Sequence, residues 1–125
     1  MKILQTSGVP IYRQIASAFR EDILAGKMKE GEYLPSIRSL AADLKVSVIT
    51  TMKAYETLEE EGLVTAVQGK GFVVNARNSD MVMEQYRREV EKNLSVAVKK
   101  AKTAGISKTE LKETIDVFWN EETEE

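Results

Sequence analysis

The run Val46-Ser47-Val48-Ile49-Thr50-Thr51-Met52-Lys53-Ala54-Tyr55-Glu56-Thr57-Leu58-Glu59-Glu60-Glu61-Gly62 constrains this chain more than any other stretch. Ser47 can accept a hydrogen bond from a free backbone N–H in the first turn of a helix. Thr51, Ala54, Tyr55 and Leu58 follow at spacings of three, one and three, which gathers them on one helical face. Ile49 and Lys53 fall opposite that face, and Thr50 falls on its flank. Gly62 supplies the left-handed residue that ends many helices. One side is therefore built for burial, and the other offers methyl, hydroxyl and ammonium groups near the helix start. Directly after Gly62 the period changes. Leu63-Val64-Thr65-Ala66-Val67 and Phe72-Val73-Val74-Asn75 are β-rich, and Gln68-Gly69-Lys70-Gly71 between them is a turn, so the sequence predicts a hairpin.

Upstream, residues 1–8 read as an extended lead-in, and Pro10 suits the first turn of a helix. Tyr12, Ile15, Ala16, Phe19 and Ile23 recur at helical spacing, with Arg13, Gln14, Arg20, Glu21 and Asp22 on the other side and Gly26 at the end. Tyr33-Leu34 is expected to be extended, because Pro35 disfavours helix before it. Ser36 is a cap or first-turn residue for a short helix from Ile37 to Leu44, with Leu40, Ala41 and Leu44 inside and Arg38, Ser39, Asp43 and Lys45 outside. The connection through Lys45-Val46 is tight, so two short helices joined by a turn form a helix-turn-helix layout. A hairpin directly after that layout is a wing, or else a cover for the core.

Downstream, residues 76–80 form a polar linker, with Ser79 or Asp80 as the next cap. Met83, Tyr86, Val90, Leu94, Ala97, Ala101 and Ala104 step by three or four along a helix of about six turns that Gly105 breaks. Ser107 with Glu110 three residues on fits a capping box. Leu111, Ile115, Phe118 and Trp119 form the apolar face of the helix that follows. The tail Glu121-Glu122-Thr123-Glu124-Glu125 reads as a solvated acidic end. The expected fold class is mainly α with a small β-hairpin. A winged helix-turn-helix domain (1–76) is followed by a C-terminal helical dimerisation segment (77–125).

Composition removes several function classes. The chain has no cysteine and no histidine. Disulfides, thiolate metal sites, the commonest metal ligand and the usual general base are all excluded. No catalytic residue, cofactor or metal site is expected. Glu56, Glu59, Glu60 and Glu61 read as the wet side of a helix rather than as metal ligands. Gly69-Lys70-Gly71 lacks the spacing of a phosphate-binding loop and leads into no helix. No apolar run approaches the roughly 20 residues that span a bilayer, and no signal-peptide layout is present, so a cytoplasmic location without membrane contact is expected. Residues 1–77 carry 10 basic and 9 acidic side chains, and residues 78–125 carry 8 and 11. A nucleic-acid site would need its basic groups clustered on one face.

The order of parts points to double-stranded DNA. A helix fits the major groove and its N-terminal residues reach base edges. Thr50 can bond a base or a phosphate, and so can Lys53. Ile49 can meet a thymine methyl, whereas Val48 either faces outward or packs on the neighbouring helix. Arg38 and Ser36 are placed for backbone phosphates or a nearby base. Lys70, between two glycines, suits phosphate or minor-groove contact.

Leu34-Pro35-Ser36-Ile37-Arg38-Ser39-Leu40-Ala41, Val46-Ser47, Ala54-Tyr55-Glu56-Thr57-Leu58-Glu59, Gly62-Leu63 and Gly69-Lys70-Gly71-Phe72-Val73 stand in order with compatible spacing. Together with Val9-Pro10-Ile11-Tyr12-Arg13-Gln14-Ile15, they resemble the winged helix-turn-helix domain of GntR-type bacterial transcription regulators over about residues 8–76. The short remainder resembles the YtrA-type branch, since other branches carry much larger effector domains. The resemblance implies a homodimer on a palindromic operator near its own promoter, often a repressor, with an ABC transporter often among the controlled genes. It carries over Ser36, Arg38, Ser47, Thr50, Gly69, Lys70 and Gly71 as DNA-binding residues. The chain departs from the pattern at Val48, where many members have arginine, and at Met52, where a basic residue is frequent. Readout is then expected to rest on Arg38, Thr50, Lys53 and methyl contacts.

Met83, Tyr86, Val90, Leu94, Ala97, Ala101, Leu111, Ile115, Phe118 and Trp119 carry more apolar surface than one small appendage hides, and they are expected to pair with a second copy. The alternative is a monomer whose helices fold back on the winged domain. Two other functions fit the same residues. One is a winged protein–protein adaptor. The other is a small-molecule-responsive regulator with an effector pocket between the C-terminal helices, lined by Met81, Met83, Tyr86 and Trp119.

Overall fold

The computed structural model describes residues 1–77 and 79–121, and the acidic tail beyond Glu121 lies outside the described residues. The elements run α1 (Ile11–Leu24), α2 (Ile37–Leu44), α3 (Val48–Glu60), β1 (Val64–Val67), β2 (Gly71–Val74), α4 (Asp80–Ala104) and α5 (Lys108–Asn120). They form two compact units, one from Met1 to Tyr86 and one from Arg87 onward.

In the first unit, the helix starts are set by their caps. Ser36 Oγ accepts from Ser39 N at 3.1 Å, and Ser47 Oγ accepts from Thr50 N at 2.9 Å. Pro10 stands one residue before the first turn expected of it, with an extended ψ of 143°, and its carbonyl accepts from the N–H groups of Arg13 and Gln14. The turn between α2 and α3 closes on Lys45, whose φ of +58° puts an L-residue in the left-handed region. Gly62, at φ +80°, ends α3 and lets the chain turn into the hairpin.

The apolar faces converge on one core of Ile15, Phe19, Ile23, Leu40, Ala54, Tyr55, Leu58, Leu63, Val64 and Val74. Each large side chain buried there contributes about 1.5–3 kcal/mol. Tyr55 is its centre. Its ring meets Phe19 and Phe72 edge-on, at centroid separations of 5.7 and 5.2 Å. Its hydroxyl donates to the carbonyl of Pro35 at 2.7 Å. Strands β1 and β2 pair antiparallel, with Val64 opposite Val74 and Val67 opposite Gly71. The segment before Pro35 is extended, as expected, and adds a bridge of Tyr33 to Val73 on the free edge of β2.

One local expectation differs from the structure. The lead-in is not extended, because residues 5–9 turn and bend over the start of α1. The Gln14 side chain holds them there, accepting from Leu4 N and donating to the carbonyls of Leu4 and Val9. In the first turns of α4, Val82 and Gln85 are the buried residues, while Met83 is exposed. Ser79 caps this helix by accepting from Val82 N, and Val82 completes the core of the first unit. Gly62 allows the close approach, since a Cβ there would lie 2.5 Å from Met81 Cβ.

In the second unit, α4 ends at Gly105 (φ +78°), and Ser107 Oγ accepts from Glu110 N to start α5. Ala101 is buried at this turn. Val98, Ala101, Ile106 and Leu111 line an apolar crevice of about 250 Å³ between the two helices, with Lys102 and Lys108 at its rim. None of Met81, Met83, Tyr86 or Trp119 lines it. Among the described residues no helix is long and apolar enough to cross a membrane.

Candidate nucleic-acid interface

Helix α3 presents two chemically opposite faces. Thr51, Ala54, Tyr55 and Leu58 are buried, as their spacing predicts. On the other side Ile49 is 81% exposed in the first turn, and Val48 and Met52 are exposed as well. Val48 is thus only partly covered. A large apolar side chain left as open as Ile49 on a short helix has no role in holding the first unit together.

The hydroxyls at the start of α3 are already organised. Ser47 Oγ accepts from Thr50 N and donates to Thr50 Oγ1 at 2.8 Å. That leaves the Thr50 hydroxyl proton available beside the first backbone N–H groups of the helix, so Ser47 acts first as a cap that aims Thr50. Lys53 stands one turn further on. Its Nζ lies 4.2 Å from the ring centroid of Tyr12, at the start of α1. Arg13 Nε donates to the hydroxyl of the same tyrosine at 3.1 Å. This bond, aided by the charges of Arg13 and Lys53 and opposed by burial, holds the Tyr12 phenol below its usual pKa.

The wing is tied to α3 at its base. Glu59 Oε2 accepts from Ala66 N at 3.1 Å on the unpaired edge of β1. Asn75 Nδ2 donates to the carbonyl of Gly62 at 2.8 Å, and Thr65 Oγ1 donates to Asn75 Oδ1. These bonds hold the hairpin at a set angle to the helix. Its tip turns through Gly69 and Gly71, at φ +78° and +117°, and exposes Lys70 between them. Ser36, Ile37, Gly69, Lys70 and Gly71 line one open groove of about 370 Å³, with Leu34, Tyr55 and Phe72 beneath. The fold thus brings the start of α2 and the wing tip together, although more than 30 residues separate them in sequence. Arg38, in the first turn of α2, is exposed and has no acidic partner among the described residues.

Four contributors escaped the sequence reading. Tyr12 and Arg13 read there as one core residue and one solvated residue of α1, yet they flank Lys53. Glu59 read as part of a wet acidic run, yet it holds the wing. Glu61, from the same run, makes a two-bonded ion pair with Arg20 at 2.8 Å, clamping the end of α3 to α1. No spacing rule links such partners, and only the packing of α3 on α1 and on the hairpin makes them neighbours.

Residues 11–74 match the family described as bacterial regulatory proteins, gntR family. The chain is 33% identical over 109 residues to the HTH-type transcriptional repressor YtrA of Bacillus subtilis (strain 168), an alignment covering 87% of this chain and 84% of that protein. The solved structure of YtrA from Sulfolobus acidocaldarius, a GntR-family transcription factor, superimposes with a TM-score of 0.59 at 38% identity and covers 93% of both chains. A GntR family transcriptional regulator from Listeria monocytogenes shares the fold, with a TM-score of 0.70 at 24% identity, over 90% of this chain and 97% of that one. With an outward-facing helix, a wing tied beside it and a family match spanning both, this chain is a DNA-binding transcription regulator of the GntR family.

Proposed function

We propose that the protein is a homodimeric repressor that binds a palindromic operator upstream of its own operon, and that this operon includes an ABC transporter. The observation that carries the reading is the surface formed by exposed Ile49 and Lys53 and half-buried Thr50 on α3, with exposed Arg38 on α2 and Lys70 on the wing tip. It combines donors for phosphates and base edges with a methyl-bearing residue suited to thymine. Val48 adds a second apolar contact, and Gly69 and Gly71 let the wing backbone approach the duplex. Ser36 and Ser47 supply hydroxyls at two helix starts.

One winged unit reads few base pairs. Two copies related by a two-fold axis read half-sites about 34 Å apart, or a multiple of that. The second unit supports pairing. Val90, Leu94, Ile115, Phe118 and Trp119 are exposed, with Trp119 at 83%. We assign the dimer contact to these residues together with Met83, Tyr86, Ala97 and Leu111; Ala101, expected in the same contact, is instead buried within its own protomer at the turn between α4 and α5. A repressor role is supported by the name of the Bacillus subtilis relative.

A gel-shift titration on the DNA upstream of the protein's own reading frame tests this, alongside light scattering of the free protein. The expected result is a dimer and a sequence-specific, salt-sensitive shift that Arg38→Ala and Lys70→Ala weaken without dissociating the dimer. Regulation that survives both substitutions would instead favour an adaptor that uses the winged unit without DNA.

A further inference from the structure

Lys53 is not a free arm. A lysine on an exposed helix face ordinarily samples many rotamers, and ordering it costs entropy at the moment of binding. Here its ammonium sits 4.2 Å from the centroid of the Tyr12 ring. That separation is well inside the roughly 6 Å range within which a cation is attracted to an aromatic face. The ring is itself fixed, because Tyr12 is half-buried and packs against the core of the first unit. Arg13 joins the same tyrosine, donating its Nε–H to the hydroxyl and leaving the terminal guanidinium nitrogens unbonded among the described residues. Two cations from different helices are therefore held on one aromatic ring, where the start of α1 meets the middle of α3. None of the described acidic side chains pairs with either.

We propose that Tyr12 is a positioning residue for DNA binding, which holds Lys53 and Arg13 as a paired clamp on backbone phosphate. This inference rests on the DNA-binding reading of the chain and narrows it. Held against α1, Lys53 reaches the strand that borders the groove rather than the base edges within it. It therefore adds affinity without sequence preference, and base readout is left to Thr50, Ile49 and Arg38. Arg13 adds a second phosphate contact from a helix that the recognition motif does not include. The arrangement also offsets the missing arginine at Val48 by drawing positive charge from α1.

The test uses the full chain and a random-sequence duplex of about 30 base pairs, because phosphate contacts need no operator. Binding is followed by fluorescence anisotropy from about 50 to 200 mM salt. Lys53→Ala and Arg13→Ala are each expected to lower the slope of log affinity against log salt by about 0.9 for every bound winged unit. Tyr12→Leu keeps apolar packing but removes the ring, and is expected to weaken binding about two- to fivefold. Tyr12→Phe keeps the ring beneath Lys53 and loses only the bond from Arg13, so it falls between Tyr12→Leu and the unsubstituted chain. In a chain that already carries Lys53→Ala and Arg13→Ala, Tyr12→Leu is expected to change nothing further. Thermal melts establish that each variant is folded. Binding by Tyr12→Leu equal to that of the unsubstituted chain at every salt would overturn the proposal. So would an equal loss with and without the two cations, which would make Tyr12 merely structural. Absence of any salt-sensitive binding by the unsubstituted chain would overturn the DNA-binding reading itself, and the clamp with it.

Discussion

Replacing Tyr55 with phenylalanine removes one oxygen and leaves both aromatic contacts in place. The lost hydroxyl is the donor to the Pro35 carbonyl at 2.7 Å, just ahead of the cap that starts α2. A buried carbonyl that loses its partner costs about 1–3 kcal/mol. Pro35 is itself exposed, so water recovers part of that loss. The expected destabilisation at neutral pH is therefore about 1–1.5 kcal/mol, seen as a lower urea midpoint at unchanged slope. Burial also pushes the Tyr55 phenol well above its ordinary pKa. The unfolded chain releases this proton near the usual tyrosine value of about 10, while the folded chain keeps it. The stabilisation is thus complete below pH about 10 and is lost as pH rises further, by about 1.4 kcal/mol per unit. The other tyrosines titrate alike in both proteins and cancel in the comparison. The gap between the original and Tyr55→Phe should accordingly narrow and close near pH 11. Urea melts at fixed protein concentration, at several pH values from 7 to 11, measure it. A gap that is absent at pH 7, or that stays constant up to pH 11, would refute the role given to this hydroxyl.

Ser47→Ala removes the cap of α3 and the partner of Thr50, and should cost about 1 kcal/mol of stability together with operator affinity. An affinity loss with no change in melting would place Ser47 on DNA and not at the helix end. Gly62→Ala should destabilise the first unit by at least about 2 kcal/mol, combining left-handed strain with the collision against Met81; a melt within error of the original would contradict it. Ile49→Asp should leave stability within about 0.5 kcal/mol, since the side chain is exposed, while abolishing the operator shift. Retained binding would remove α3 from the interface. Trp119→Asp should dissociate the dimer in light scattering and leave each winged unit folded, whereas an intact dimer would move the contact elsewhere.

What the sequence determined by itself is local. Ser36, Ser47, Ser79 and Ser107 act within one helical turn, and Gly62 and Gly105 act on their own backbone, so each could be read from its neighbours. Burial of Thr51, Ala54, Tyr55 and Leu58 followed from periodicity, because a helix carries its pattern wherever it packs. The hairpin followed from β-rich runs around a glycine turn. Tertiary structure decided the pairings between distant residues. Arg20 reaches Glu61 across 41 positions, and Tyr55 reaches Pro35 across 20. Lys53 lies on Tyr12 only because α3 packs on α1. No spacing rule signals such contacts, since they depend on the angle at which elements meet. The same reason explains α4. Its period marks Met83 for a partner chain and does not mark Val82, which enters the core of the first unit, because the close approach of Met81 at Gly62 depends on how the elements meet. The Ser36–Lys70 groove belongs to this second class. Its residues could be named one by one from the sequence, but their convergence is a property of the fold.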